Sequence, residues 1–375
     1  MRSVSRIVIL YPGETSPEQV SNPGNYALSR LLIELHKRGE PRIFLLNFSR
    51  RREQYGNIEF IPLTRSRLLW FARKCIGARH ALIVCQTEAL YRYAAFLRAV
   101  MPGSRIVVRL GGVYHGREYL NSAAFHAVRH KHRRRLASAD MVVSTADGTP
   151  VDLYMEKVGI PRDRYRKWLN GFPVIPNEGG VSRTNRVLCI SRLSAEKGMD
   201  YVIRSFAAAA PRLNEAYELT IVGDGRERAK LATLARSLEV ADNVRFAGES
   251  YNVGPYLHSS RLLLNSLGNN TIMEAIATNT PVVTLDLGET RALYGDLPNV
   301  HVVEYQAGGY GKIADDVMPR IVADTANAIV DILNRPHAGE QARDGTHKSY
   351  WSWDDRLACE LELYEALMSS PSPAA

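Results

Sequence analysis

The sequence predicts an α/β protein of two Rossmann-like domains, and three observations carry that expectation. At 375 residues the chain exceeds what one compact core usually holds. Short apolar runs alternate with segments of helical period in both halves. Most of the apolar runs end in a turn containing Gly, Ser or Asn, and a helix follows, as in strand-loop-helix units.

The elements follow in order. Arg6 to Tyr11 reads as the first strand; its apolar core ends at Pro12-Gly13 and is too short for a signal peptide. A turn-rich loop ends in Asn22-Pro23-Gly24-Asn25. The pattern then predicts a helix from about Tyr26 to Arg38, with Leu28, Leu31, Leu32 and Leu35 on one face and Gly39 as its stop. Arg42 to Asn47 is strand two. No G-x-G-x-x-G is present, so a bound dinucleotide is not expected. Arg65 to Lys74 is a basic stretch containing Trp70 and Phe71. It fits a helix lying on an anionic membrane, or a domain helix with Leu68, Leu69 and Phe71 in the core. Ala81 to Cys85 and Arg105 to Arg109 are further strands, the second followed by Gly111-Gly112 and His115. Arg129 to Arg135 is a dense basic run on a helix. It lacks interleaved aromatics and any nucleic-acid motif, so a solvated face or an anionic-surface patch is the expectation and nucleic acid is not an expected partner. Strands at Ala139 to Ser144 and Arg166 to Leu169 complete a first domain over 1–173, and 174–185 reads as a linker.

The second domain, 186–349, restarts with a strand at Arg186 to Ile190. It enters a loop holding Arg192 and Lys197, five residues apart, before a helix from about Met199 to Ala210. Two cations so spaced can converge on one pair of phosphates. Strands at Glu218 to Val222, Asn243 to Gly248, Arg261 to Asn265 and Val300 to Glu304, and a helix from Asp324 to Asn334, are expected. The most informative stretch is Asn265 to Leu285. A polar turn leads into a short helix, about Thr271 to Thr278, with Asn270 as N-cap. Asn279 and Pro281 end it, and Pro281 to Leu285 is a buried strand. Free amides at such a helix start suit an anion, and Glu274 lies one turn in. Over 350–375, Ser352 and Asp355 have capping-box spacing. Leu357, Leu361, Tyr364 and Met368 give the last helix an apolar face, and the tail from Ser369 is expected to fray.

Composition narrows the function classes. Net charge is +9, but residues 1–172 hold 29 Lys and Arg against 13 Asp and Glu, or +16, and the remainder holds 19 against 26, or −7. A first half so positive suggests an anionic partner. No run spans a bilayer, and Cys75, Cys85, Cys189 and Cys359 show no metal or redox spacing, so a reducing cytosol is expected.

Together these residues resemble the GT-B-fold retaining glycosyltransferases of glycosyltransferase family 4. The resemblance rests on Asn170 to Pro173, Ser191 to Gly198, Ile221 to Gly225, Val244 to Gly248, Met273-Glu274-Ala275 through Pro281 to Val283, Asp286 to Glu289 and the Trp353 helix. It implies two domains facing across a cleft, with the last helix crossing back to the first. It also implies that Arg192 and Lys197 neutralise a departing nucleoside diphosphate without a metal, and that His115 stands for an acceptor-domain histidine. Glu274 would bind ribose hydroxyls. Asn269, Asn270, Thr271 and Ile272 would meet the diphosphate, with Ser266, Gly223, Gly225 and Glu249 in the donor site and Gly24 and Asn25 facing it. Ser266 departs from the pattern, standing where the family has a glutamate that contacts the donor sugar.

The function so implied is retaining transfer of a sugar from a nucleotide donor, UDP- or GDP-linked, to an acceptor hydroxyl in polysaccharide, lipopolysaccharide or glycolipid synthesis. No cofactor is expected. The acceptor would be a glycan or lipid-linked, anionic molecule, and the location cytoplasmic or peripheral at the inner membrane face. The alternative is a nucleotide-sugar-binding protein of the same fold that has lost catalysis.

Overall fold

The computed structural model describes residues 6–12, 27–39, 42–48, 51–76, 78, 80–113, 115–177, 179–250, 252–267, 270–305, 313–335 and 351–369. The first sheet begins with β1 (Ile7–Leu10), α1 (Ala27–Lys37), β2 (Ile43–Asn47) and a hairpin of β3 (Glu53–Tyr55) and β4 (Ile58–Pro62). Helix α2 (Arg65–Cys75), β5 (Leu82–Cys85), α3 (Tyr91–Val100) and β6 (Arg105–Leu110) follow. Then come α4 (Arg117–Asn121), α5 (Ala123–Ala137), β7 (Met141–Thr145), α6 (Val151–Val158) and β8 (Tyr165–Trp168). The strand order is β3-β4-β2-β1-β5-β6-β7-β8, and only the β3–β4 pairing is antiparallel. Central strands such as IVIL and LIVC are apolar at every position because helices cover both faces.

The second sheet holds β9 (Arg186–Ile190), α7 (Met199–Ala209), β10 (Glu218–Val222), α8 (Arg228–Ser237) and β11 (Val244–Gly248). Helix α9 (Gly254–Ser259), β12 (Leu262–Leu264), α10 (Asn270–Ala277), β13 (Val282–Leu285), α11 (Thr290–Tyr294), β14 (Val300–Val303) and α12 (Met318–Leu333) complete it. Its order is β11-β10-β9-β12-β13-β14, parallel throughout. The chain reverses its winding between β9 and β12. In an open α/β sheet the crevice for a ligand lies at the carboxyl ends of the strands flanking such a reversal.

Helix α13 (Trp353–Ser369) returns to the first lobe, where Leu357, Leu361 and Tyr364 join the core beneath β1, β2 and β5. Its start carries the expected capping box: the Asp355 carboxylate accepts from the Ser352 amide at 2.8 Å, and the Asp355 amide donates to the Ser352 hydroxyl at 3.1 Å. Gly171 is required here, since a Cβ would lie 2.1 Å from the Trp353 nitrogen. The Glu360 side chain is fully buried between two guanidiniums, 2.7 Å from Arg109 and 2.7 Å from Arg356.

Several expectations need correction. Helix α10 starts at Asn270, so Asn270 is its first helical residue and not the cap. Asn279 does take the left-handed conformation, at φ 56°. Leu69 was placed in the core in one reading of α2 but is 56% exposed; Leu68 and Phe71 alone of the three turn inward. Helix α12 begins at Met318, a full turn and more before Asp324, because Pro319 occupies its first turn, where no amide partner is lost. The β3–β4 hairpin was not anticipated. The frayed tail, apart from Ser369 in α13, lies outside the described residues.

Candidate functional site

The loops that leave β9 and β12 meet at the winding reversal. Lys197 Nζ donates to the Leu267 carbonyl at 3.1 Å, and the Leu267 amide donates back to the Lys197 carbonyl at 3.1 Å. The cation-bearing loop is thus fastened to the turn that precedes α10. Gly198, at φ 61°, closes the short 3-10 turn Ala195–Lys197 and releases α7. A half-buried Lys197 results. Burial first, and then the neighbouring Arg192, lower its pKa, while Glu196 and Asp147 oppose the shift. Arg192 projects into solvent with its side chain 76% exposed and Glu196 3.7 Å away.

Gly223 and Gly225 have a visible task in this loop. Both have positive φ, and a Cβ would stand 2.0 Å from the Ser191 carbonyl oxygen and 2.3 Å from that of Leu193. Only glycine lets the turn after β10 press against the cation loop, where Leu193 N donates to Asp224 O at 2.9 Å. Glu249, just past β11, is exposed. Ser266 is buried. Thr271 donates from its hydroxyl to Asn265 Oδ1 at 2.7 Å, and Asn265 Nδ2 reaches Thr284 at 3.0 Å. The first turn of α10 is thereby tied to β13. Ile272 is buried in the core, so its amide and not its side chain remains for a ligand, and Glu274 is half-buried on the same helix. Gly24, Asn25 and Asn269 lie outside the described residues.

His115 sits apart from the two cations' loop, in a ring cluster of the first lobe. Its ring centroid lies 4.9 Å from Tyr119, 5.6 Å from His132 and 5.9 Å from Phe125. Burial and then His132 lower its pKa, against the pull of Glu88. Glu88 in turn accepts from Tyr154 at 2.9 Å and Arg135 at 2.8 Å.

Contacts between the lobes involve residues that sequence reasoning passed over. The Arg117 guanidinium donates to the Gly288 carbonyl at 2.9 and 2.7 Å, Lys167 Nζ stands 2.8 Å from Glu289, and the Glu289 amide donates to Gly148 O at 2.7 Å. Asp147, beside Gly148, is buried. The Asp-Gly-Thr turn after β7 was a local signal for a tight loop, but nothing local marks it as a partner of the second lobe.

Residues 184–333 match the family model described as glycosyl transferases group 1. The N-acetyl-alpha-D-glucosaminyl L-malate synthase of Bacillus anthracis is 28% identical over 201 residues, 52% of this chain and 49% of that protein. The chain therefore spans about half the length of that relative. A glycosyltransferase from Rickettsia africae superposes over 98% of this chain and 100% of its own, with TM-score 0.66 and 13% identity. Anabaena HepE, solved with UDP and glucose, covers 96% of this chain and 100% of its own, with TM-score 0.64 and 15% identity. The fold is that of these GT-B enzymes: two parallel-sheet α/β lobes across a cleft.

Proposed function

We propose that the protein is a retaining, metal-independent glycosyltransferase that moves a sugar from a nucleoside-diphosphate donor to an acceptor hydroxyl. The observation that carries the reading is the mutual bonding of Lys197 and Leu267, which sets a cation loop against the start of α10 at the winding reversal. The amides of α10 and the two cations then face one anion. In the reaction the bond from the sugar's anomeric carbon to the diphosphate oxygen breaks and its electron pair stays on the diphosphate. The acceptor oxygen bonds the same face of that carbon, and its proton passes to the diphosphate. Arg192 and Lys197 stabilise the charge that develops, Glu274 holds the ribose, and His115 serves the acceptor side. The lobes would divide at 1–173 and 186–349 around the linker 174–185, with 350–375 returning to the first. UDP in the HepE structure favours a UDP-linked donor. Arg192→Ala and Lys197→Ala should each lower turnover of the donor about 100- to 1000-fold with the melting temperature unchanged. Parent-like turnover in both removes them from this role.

For the acceptor, we propose an anionic, lipid-linked glycan in polysaccharide or glycolipid synthesis, met at the inner membrane face. Helix α2 supports this. Leu69 and Ile76 are exposed beside it, and Trp70 carries Lys74 at 4.2 Å and Arg52 at 5.1 Å over its ring. No helix among the described residues is long and apolar enough to cross a membrane. The protein should sediment with vesicles containing phosphatidylglycerol and not with pure phosphatidylcholine. Equal recovery with both contradicts the membrane reading.

A further inference from the structure

The first lobe has a pocket at the amino ends of its strands. Arg6 directly precedes β1 and Arg42 directly precedes β2. The two strands are parallel neighbours, and the Ile7 amide donates to the Arg42 carbonyl at 3.2 Å. The ligand crevice of an open α/β sheet lies at the carboxyl ends, so these two arginines stand at the opposite ends. Trp70, Lys74 and Cys75 of α2 wall the pocket, which measures about 160 Å³. Its charge is one-sided. Arg6, Arg42 and Lys74 line it together with Glu59, and Arg52, 2.5 Å from the Glu59 carboxylate, cancels that negative charge. Among the described residues no carboxylate pairs with Arg6, Arg42 or Lys74. Arg6 donates to the Cys75 sulfur at 3.5 Å, a weak acceptor, and Lys74 lies 4.2 Å from the Trp70 ring centroid. Burial raises the Cys75 pKa against the pull of Arg6, so the sulfur there is a neutral thiol. Phe44 and Phe71, both buried and with ring centroids 5.0 Å apart, add an apolar wall. Cations set against an apolar wall focus their field on the space between them.

We propose that this pocket binds a phosphate group, and that the headgroup of an anionic lipid presents it. The two guanidiniums take phosphate oxygens as forks, and Lys74 adds a point charge. The pocket stands on its own residues; the lipid as source of the phosphate rests on the membrane reading given above. Leu69 and Ile76 favour that source. Ile76, 72% exposed, directly follows Cys75, and Leu69, 56% exposed, directly precedes Trp70. Exposed apolar side chains beside a phosphate site match a lipid surface, where hydrocarbon lies beneath the headgroups. A free phosphate would leave them uncovered. The lipid so held is an anchor and not the acceptor, because the crevice for the reaction lies at the other ends of the strands.

The test has two arms: sedimentation with vesicles of phosphatidylcholine, with and without phosphatidylglycerol, and calorimetric titration with inorganic phosphate. Arg42→Gln and Arg6→Gln should each lower the partition coefficient onto phosphatidylglycerol vesicles about tenfold or more. Arg129→Gln removes the same charge from the exposed face of α5, outside the pocket. It should lower the coefficient about fivefold at most, as for one cation near an anionic surface. Should Arg6→Gln lower the melting temperature through its lost bond to Cys75, the exposed Arg42 makes the same comparison. Phosphate binding that Arg42→Gln weakens, with vesicle binding unchanged, keeps the pocket and overturns the lipid as its source. Equal vesicle losses in Arg42→Gln and Arg129→Gln, with no phosphate binding by the parent, overturn the pocket and leave the membrane reading intact. Equal recovery of the parent with both vesicles contradicts the membrane reading, and the phosphate titration alone then decides the pocket.

Discussion

Lys197 is a cation made weaker by its own position. Burial and Arg192 lower its pKa, and only Glu196 and Asp147 act against them. A cation needed in the protonated form is lost as pH rises through its pKa. The alkaline limb of kcat/KM should therefore fall at a pH below the ordinary lysine value of about 10.4. A profile in the parent flat to that value, or a limb that persists in Lys197→Ala, contradicts the assignment. Arg192, Lys197 and Glu274 could be placed in a loop or on a short helix from the sequence, because each sits within a few residues of a strand end or helix start, where chain spacing alone places a side chain. The buried place of Asp147 was not legible, because Gly112, which makes room for it, lies in the loop after another strand, and no local pattern records such a meeting. Gly223 and Gly225 were legible as turn residues. Their reason, clearance of the Ser191 and Leu193 carbonyls, is a long-range fact.

At the scale of elements, strands were read well and helix starts less well. Glu218–Val222 matches its expected span: from Leu219 on every residue is buried, Thr220 included, and Gly223 ends the run. In the β3–β4 hairpin, β3 escaped because Glu53–Tyr55 is a polar edge strand with no buried side chain, whereas the apolar and mostly buried β4 carried the pattern of a strand and was passed over. Helix α13 shows what an element can owe to charge. Burial alone would raise the Glu360 carboxyl, but Arg109 and Arg356, with bonds from Tyr364 and Arg356, hold it below its ordinary value. A carboxylate with a depressed pKa stabilises the fold above its unfolded value, and the contribution fades as pH falls through the folded one. Chemical denaturation should thus show stability constant near neutrality and declining below about pH 4. Glu360→Gln leaves two guanidiniums buried without their counter-charge. It should cost about 3–5 kcal/mol at pH 7 and flatten the acid decline. An unchanged denaturation midpoint and an unchanged acid decline would contradict the account.

For the molecule as a whole, two lobes of opposite charge meet through contacts around Gly288 and Glu289, through Leu169 and Phe172 packed on the second core, and through a helix that crosses back. The exposed Arg117 contribution to stability is small, as surface pairs usually are. Its value lies in setting how the first lobe meets the loop that follows β13. The central claim concerns the donor loops: Arg192, Lys197 and Glu274 act together on one nucleoside diphosphate. Isothermal titration of UDP and GDP into the parent, Arg192→Ala, Lys197→Ala and Glu274→Ala tests it most directly. The account predicts that one nucleotide binds the parent and that Arg192→Ala, Lys197→Ala and Glu274→Ala each weaken it, Glu274→Ala by roughly 1.5–3 kcal/mol. Binding to the parent that all three variants keep at full strength would contradict it.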